Sequence, residues 1–235
     1  MADAGVENRR RAYLQALEID VYALRGKDAV DPPAPDPGVG AQETDEQAAP
    51  DWTALQTGVA ACTQCILHKT RTQTVFGVGS RTAEWMIVGE APGAEEDRRG
   101  EPFVGRAGKL LDEMLRAIGL SRERVYIANI LKCRPPNNRD PANDEAESCR
   151  RFLDRQIELV APKIIIAVGR IAAQRLLQTD APLGRLRQQK HYLSDRQVPV
   201  VVTYHPAYLL RSPTQKRKAW QDLCFAADMM NEGNK

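Results

Sequence analysis

The sequence predicts an α/β fold in three layers, α/β/α, around a central parallel sheet of four strands. Three observations carry that expectation. Short apolar runs at 85–89, 125–130, 163–168 and 198–203 alternate with stretches of helical periodicity. The run at 163–168, KIIIAV, is almost wholly apolar, as a strand covered on both faces has to be. Polar and Gly/Pro-rich residues gather directly after the runs, and in parallel sheets the site lies beyond the carboxyl ends of the strands.

Taken in order, residues 7–24 place Tyr13, Leu14, Leu17, Val21, Tyr22 and Leu24 at helical spacing, which predicts a helical extension over 1–27. Its apolar face suits docking on the main body and suits a protein partner equally. Residues 28–50, rich in Pro, Ala, Asp and Gly, predict a disordered acidic linker with polyproline character. The main domain is expected over 51–235. Its first apolar strand, 85–89, ends at Gly89. A helix over 106–118 sets Leu110, Leu111, Met114, Leu115 and Ile118 on one face and stops at Gly119. The strand at 125–130 follows. A helix over 143–160 starts near Asn143 or Asp144 and ends before Pro162. After the 163–168 strand come a helix over 170–178, the strand VPVVVT at 198–203 and a C-terminal helix over 214–230.

At 235 residues, 43% of them hydrophobic, the chain can fill one sizeable core. No apolar run approaches the roughly 18 residues of a membrane span. Arg9, Arg10 and Arg11 are not followed by the apolar stretch of a secretory signal, so a cytoplasmic protein, a monomer, is expected. The net charge of +2 is uneven. Residues 1–50 hold five Lys/Arg against ten Asp/Glu, and the remaining 185 residues hold 28 against 21. A basic body suits a polyanion such as nucleic acid.

Five cysteines in a chain without an export signal read as ligands or buried thiols rather than disulfides. Cys224, among Leu223, Phe225 and Met229, reads as a core thiol. Cys62 and Cys65 form a C-x-x-C, and Cys133 and Cys149 follow after 67 and 15 intervening residues. One close pair with two distant single cysteines suits an iron–sulfur cluster better than the paired knuckles of a zinc ribbon. Zinc and unconnected buried thiols stand as the alternatives. Lys132, Arg134 and Arg139 flank Cys133 and are candidate phosphate contacts.

Three further segments follow strands: GEAPGAEED at 89–97, NILKCRPPNNR at 129–139 and HPAYLLR at 205–211. Gly/Pro turns at strand ends let backbone N–H groups approach a ligand. Taken singly, Glu90 reads as a surface carboxylate, Asn129 as a turn cap and His205 as a structural histidine. All three at successive strand ends read as a site. The segments GEAPGAEED, EPFVGRAG, KCRPPNNR and HPAYLLR, with the four-cysteine pattern, resemble the iron–sulfur uracil-DNA glycosylases often called family 4, over roughly residues 51–230.

The resemblance implies a uracil-DNA glycosylase-like fold and a monofunctional hydrolase of base excision repair. Such an enzyme flips uracil out of single- or double-stranded DNA, hydrolyses the N-glycosidic bond and leaves an abasic site. It implies a structural [4Fe–4S] cluster on Cys62, Cys65, Cys133 and Cys149. Asn129 then reads the polar edge of uracil and Phe103 stacks on the base. His205 donates a hydrogen bond to the departing O2, and Glu90 stabilises the sugar cation and orients water. Glu96 supports its loop, and Ala91 and Asn138 belong to the substrate site. Tyr208, Leu209 and Leu210 form an apolar wedge for the gap left by the flipped base, with Arg211 beside it, and Lys216, Arg217 and Lys218 are further cations for phosphate. Two departures from the family stand out. Ala91 replaces a Gly found in some relatives, which tightens the pocket. A sub-branch that traps uracil covalently carries an inserted histidine loop, whereas this chain has Asn137-Asn138-Arg139 there and three histidines in all. Turnover without a trapped adduct is therefore expected. Two rival readings are a glycosylase for another deaminated base, such as hypoxanthine or xanthine, and a non-catalytic iron–sulfur module that binds DNA.

Overall fold

The computed structural model describes residues 48–193 and 197–232. The chain divides into two units, Met1–Gln42 and Glu43–Lys235, and every described residue belongs to the second. The helix expected over 7–24, and the linker up to residue 47, lie outside the described residues.

One sheet has the strand order β1-β3-β2-β4-β6-β5. Its strands are β1 (Val78–Gly79), β2 (Trp85–Gly89), β3 (Tyr126–Asn129), β4 (Ile164–Val168), β5 (His191–Tyr192) and β6 (Pro199–Thr203). The middle four, β3-β2-β4-β6, are the expected parallel strands. The two-residue edge strands pair antiparallel and were not foreseen. Two residues are too short to show a period of two, so only their partners reveal them.

Side-chain alternation explains the three layers. Met86, Val88, Ala128, Ile165, Ala167, Val200 and Val202 point to one face. Ile87, Ile127, Ile164, Ile166, Val168 and Val201 point to the other. Both faces are apolar, so both must be covered. The first is covered by α1 (Ala48–Ala60), α4 (Asn143–Val160), α5 (Arg170–Leu177) and α6 (Leu183–Leu186). The second is covered by α3 (Arg106–Ala117), α7 (Pro206–Arg211) and α8 (Lys216–Glu232). A short α2 (Ala94–Arg99) follows β2. Among the described residues, no helix is long and apolar enough to cross a membrane.

Two expectations are corrected here. Residues 48–50, expected in the linker, open α1, whose Trp52 and Val59 are buried in the core. The 206–211 segment, expected as a loop, is the helix α7. Pro206 stands in its first turn, and the His205 side chain caps it by accepting the Ala207 N–H at 3.2 Å.

Strand β2 pairs with β3 on one side and β4 on the other, so the chain reverses direction across the sheet at β2/β4. Crevices open at such points, beyond the carboxyl ends of the strands. Glu90 follows β2, and Arg170 opens α5 directly after β4 and Gly169.

Candidate active site

At that end of the sheet lies a cavity of about 370 Å³. Its lining includes Glu90, Ala91, Glu96, Phe103, Asn129, Asn138, Arg139, His205 and Arg211, brought together from four separate stretches of chain. Its size falls at the lower end of ligand pockets, roughly 300–1,000 Å³.

Asn129 ends β3 and is 2% exposed. Its side-chain Oδ1 has no hydrogen-bond partner among the described residues. Buried amide oxygens are nearly always paired, so an orphan facing a cavity is an unmet acceptor. The amide lies against Gly89, its register neighbour on β2. A Cβ at Gly89 would collide with Asn129 Oδ1 and would stand 2.6 Å from Phe103 Cζ. Glycine at 89 is what allows the amide and the aromatic ring to meet.

Phe103 is buried with φ +54°, a left-handed conformation unusual for a bulky residue. Two features hold it there. Glu96 Oε1 accepts the N–H groups of Val104 and Gly105 at 2.9 and 3.0 Å. Gly108 leaves room for the Phe103 carbonyl, which any Cβ would overlap. Glu96 lines the cavity, but its Oε1 is committed to the Phe103 loop, so its first role is to shape the site. The Phe103 ring lies 5.6 Å from the His205 ring at 31°.

His205 caps α7 through Nδ1, so in the neutral ring the proton sits on Nε2. Burial above all, and the Arg211 charge, lower its pKa to about 4 against the opposing pull of Glu96. The ring is therefore a neutral donor at physiological pH. Glu90 is shifted the other way. Burial above all, and the Asp140 charge, raise its carboxyl to about 7 against the opposing pull of Arg170. Asp140 and Arg170 pair with each other at 2.9 Å. Only their place after β3 and β4 hinted at this pair, which no motif singled out.

Several residues expected at a DNA surface are placed differently. Lys132 is 1% exposed and points inward, its Nζ donating to Asn129 O at 2.8 Å and to Gln156 Oε1 at 2.6 Å. It is no phosphate contact. Leu209 is likewise 1% exposed, because α7 packs this side against α3, so it is no wedge. Leu210 is half-buried, while Tyr208 is exposed and stacks on Tyr204 at 5.2 Å. Arg139 makes a two-pronged pair with the buried Glu145, at 2.8 and 2.5 Å, and so anchors its own loop. Arg134 donates to Asn138 Oδ1 at 2.8 Å. Arg211 remains exposed at the cavity, and Lys216, Arg217 and Lys218 are exposed at the start of α8.

The four cysteines Cys62, Cys65, Cys133 and Cys149 all line one second pocket, together with Arg71 and Lys132 and no carboxylate. Arg71 Nη1 donates to Cys133 Sγ at 3.0 Å, and the Lys132 N–H donates to Cys149 Sγ at 3.3 Å. Burial raises Cys149 to about 11 and raises Cys133, with Lys132 and Arg71 respectively opposing. Among the described residues, no three His, Cys, Asp or Glu side chains are gathered to hold a metal ion. Cys224 lies apart, half-buried in α8.

Residues 76–224 match the uracil DNA glycosylase superfamily. The chain is 47% identical over 170 residues to a type-4 uracil-DNA glycosylase of Archaeoglobus fulgidus, covering 70% of this chain and 85% of that protein. It is 42% identical to a type-4 uracil-DNA glycosylase of Pyrobaculum aerophilum, covering 74% of this chain and 92% of that protein. A type-5 uracil-DNA glycosylase of the same organism is 30% identical, covering 56% of this chain and 64% of that protein.

Proposed function

The chain belongs to the uracil DNA glycosylase superfamily, and from that premise we propose how it removes uracil from DNA. It is a hydrolytic glycosylase of DNA repair, on the side of the type-4 enzymes. One observation carries the residue roles: the unpartnered Oδ1 of Asn129 beside Phe103, in the same cavity as Glu90 and His205.

The flipped uracil stacks on Phe103. Asn129 accepts its N3–H through Oδ1 and donates to O4 through Nδ2. Cytosine reverses both groups and leaves the buried amide unpaired, at a cost of about 1–3 kcal/mol per group. As the bond from C1′ to N1 breaks, its electron pair leaves with the uracil, and negative charge gathers on O2. The Nε2–H of neutral His205 donates to that oxygen. Glu90 faces the sugar, stabilises the oxocarbenium ion, and orients the water that adds to C1′, accepting its proton. The products are uracil and an abasic site.

The four-thiol pocket fits a [4Fe–4S] cluster held by Cys62, Cys65, Cys133 and Cys149. Four cysteines that line one pocket with two cations and without a carboxylate suit the thiolate ligands and the negative charge of such a group. Such a cluster would cross-link the segment after α1 to the segment joining β3 to α4, through Cys133, and to α4 itself, through Cys149. The cysteine pocket and the Asn129 cavity share no lining residue among those described, which supports a structural role.

Two measurements test this reading. Uracil-containing DNA incubated with the protein and then treated with alkali should break at the uracil. Asn129→Ala should slow excision roughly 10²-fold or more while DNA affinity changes little, because only contacts to the flipped base are lost. Equal losses of rate and affinity would remove Asn129 as the reader. For the cluster, the protein should absorb broadly near ~400 nm and Cys133→Ala should bleach the band. A colourless, zinc-loaded protein refutes it.

A further inference from the structure

A fully buried lysine with no carboxylate beside it is rare, because the desolvated charge needs a counter-charge. Lys132 is such a residue. It is 1% exposed, and its Nζ contacts two neutral acceptors, Asn129 O at 2.8 Å and Gln156 Oε1 at 2.6 Å. Among the described residues it forms no ion pair with an acid. Gln156 is itself fixed, donating from Nε2 to Phe76 O at 2.8 Å and to the Tyr126 hydroxyl at 3.0 Å.

The other side of Lys132 faces sulfur. Its N–H donates to Cys149 Sγ, its neighbour in sequence is Cys133, and it lines the cysteine pocket. Its carbonyl accepts the Val75 N–H at 2.8 Å. Bound as thiolates to the proposed cluster, the cysteines of the pocket that Lys132 lines would supply negative charge to balance it. One residue thus links the cysteine pocket, through its backbone N–H, to the peptide of Asn129, through its Nζ.

We propose that Lys132 is a positioning residue for uracil excision: paired with the thiolate pocket, it fixes the Asn129 carbonyl and so aims the amide that reads the base. The inference rests on the reading of Asn129 given above. It makes the cysteine pocket part of the site's precision, although that pocket lines no part of the active cavity. The side chain acts through Asn129 and touches no substrate.

The test is Lys132→Met in the full chain as purified, with iron content, the ~400 nm band, reduction potential and steady-state kinetics on single-stranded uracil-containing DNA. The kcat should fall about 10- to 100-fold with KM within about twofold, as expected for a reading group displaced by a fraction of an ångström. The reduction potential should move to lower values, because a cation beside the thiolates is gone. A wild-type kcat, or an unmoved potential, overturns the proposal. If Lys132→Met yields no folded, iron-loaded protein, Gln156→Met decides, since it removes one Nζ acceptor and keeps the cation. A lowered kcat at full iron content supports the proposal, and an unchanged kcat overturns it. An Asn129→Ala protein at full rate removes the underlying reading and this inference with it. A wild-type kcat in Lys132→Met beside an inactive Asn129→Ala overturns this inference alone.

Discussion

Glu90 shows how one side chain trades stability for chemistry. Its carboxyl, 4.5 in an unperturbed setting, is raised to about 7 by burial and by Asp140. A carboxyl whose folded pKa lies above its unfolded value favours folding while it stays protonated. That contribution is lost as pH rises through about 7, where the folded protein must carry the desolvated charge. Excision needs that charge, so the rate should climb with pH through about 7. His205 stays neutral above about 4 and adds no limb there. Glu90→Gln should therefore lower the rate roughly 10²- to 10⁴-fold. The same change should raise the melting temperature at pH 8 and leave it almost unchanged at pH 5. Calorimetry at the two pH values, beside rates, checks both halves. A variant less stable than the parent at pH 8 would show that Glu90 is not held in a desolvated site.

The helix α7 shows why an element's local form matters more than its composition. HPAYLLR has three apolar or aromatic residues in a row, and read as a loop it offers all three to DNA. As a helix of six residues it has sides, and Pro206 and Leu209, three apart, are buried. Tyr208 and Arg211, also three apart, are exposed. A helix this short does not hold itself and depends on packing against α3. Leu209→Ala should cost about 2–5 kcal/mol of folding stability in denaturant titrations. Tyr208→Ala should leave stability within about 0.5 kcal/mol, as for most exposed positions. Its excision from duplex DNA should fall more than excision from single strands, where no base pair has to be opened. Equal effects on both substrates would remove Tyr208 from the duplex-opening role.

For the molecule as a whole, the described residues of the second unit build a core on each face of the sheet. Among the described residues, those that fill the two faces lie between Trp52 and Met230. The unit begins at Glu43, ahead of α1, and all cavity residues lie within it. Removing residues 1–42 should leave melting temperature and excision rate unchanged, read by calorimetry and alkali cleavage. A large fall in either would give the acidic segment a structural or catalytic part. The site itself is a property of topology. The reversal of chain order at β2/β4 opens the crevice, and the parallel strands end together there.

The sequence alone determined the parallel core, because apolar runs alternating with helical stretches, and the almost wholly apolar run at 163–168, leave a central strand few other options. It determined the candidates Glu90, Asn129 and His205, because a polar residue at the end of an apolar strand stands out locally, while Phe103 came with the resemblance carried by EPFVGRAG. Contacts at long separation were decided by the tertiary structure. Lys132 and Leu209 sit in segments that read as surface, and only packing against Gln156 and α3 turned them inward. Gly89, read as a strand end, and Gly108, inside the expected 106–118 helix, showed their purpose only once Asn129 and Phe103 were seen to occupy the space a Cβ would need. Periodicity reports which face of its own element a residue takes. It carries no information about which distant atom waits on that face, and the chemistry of this site depends on that atom.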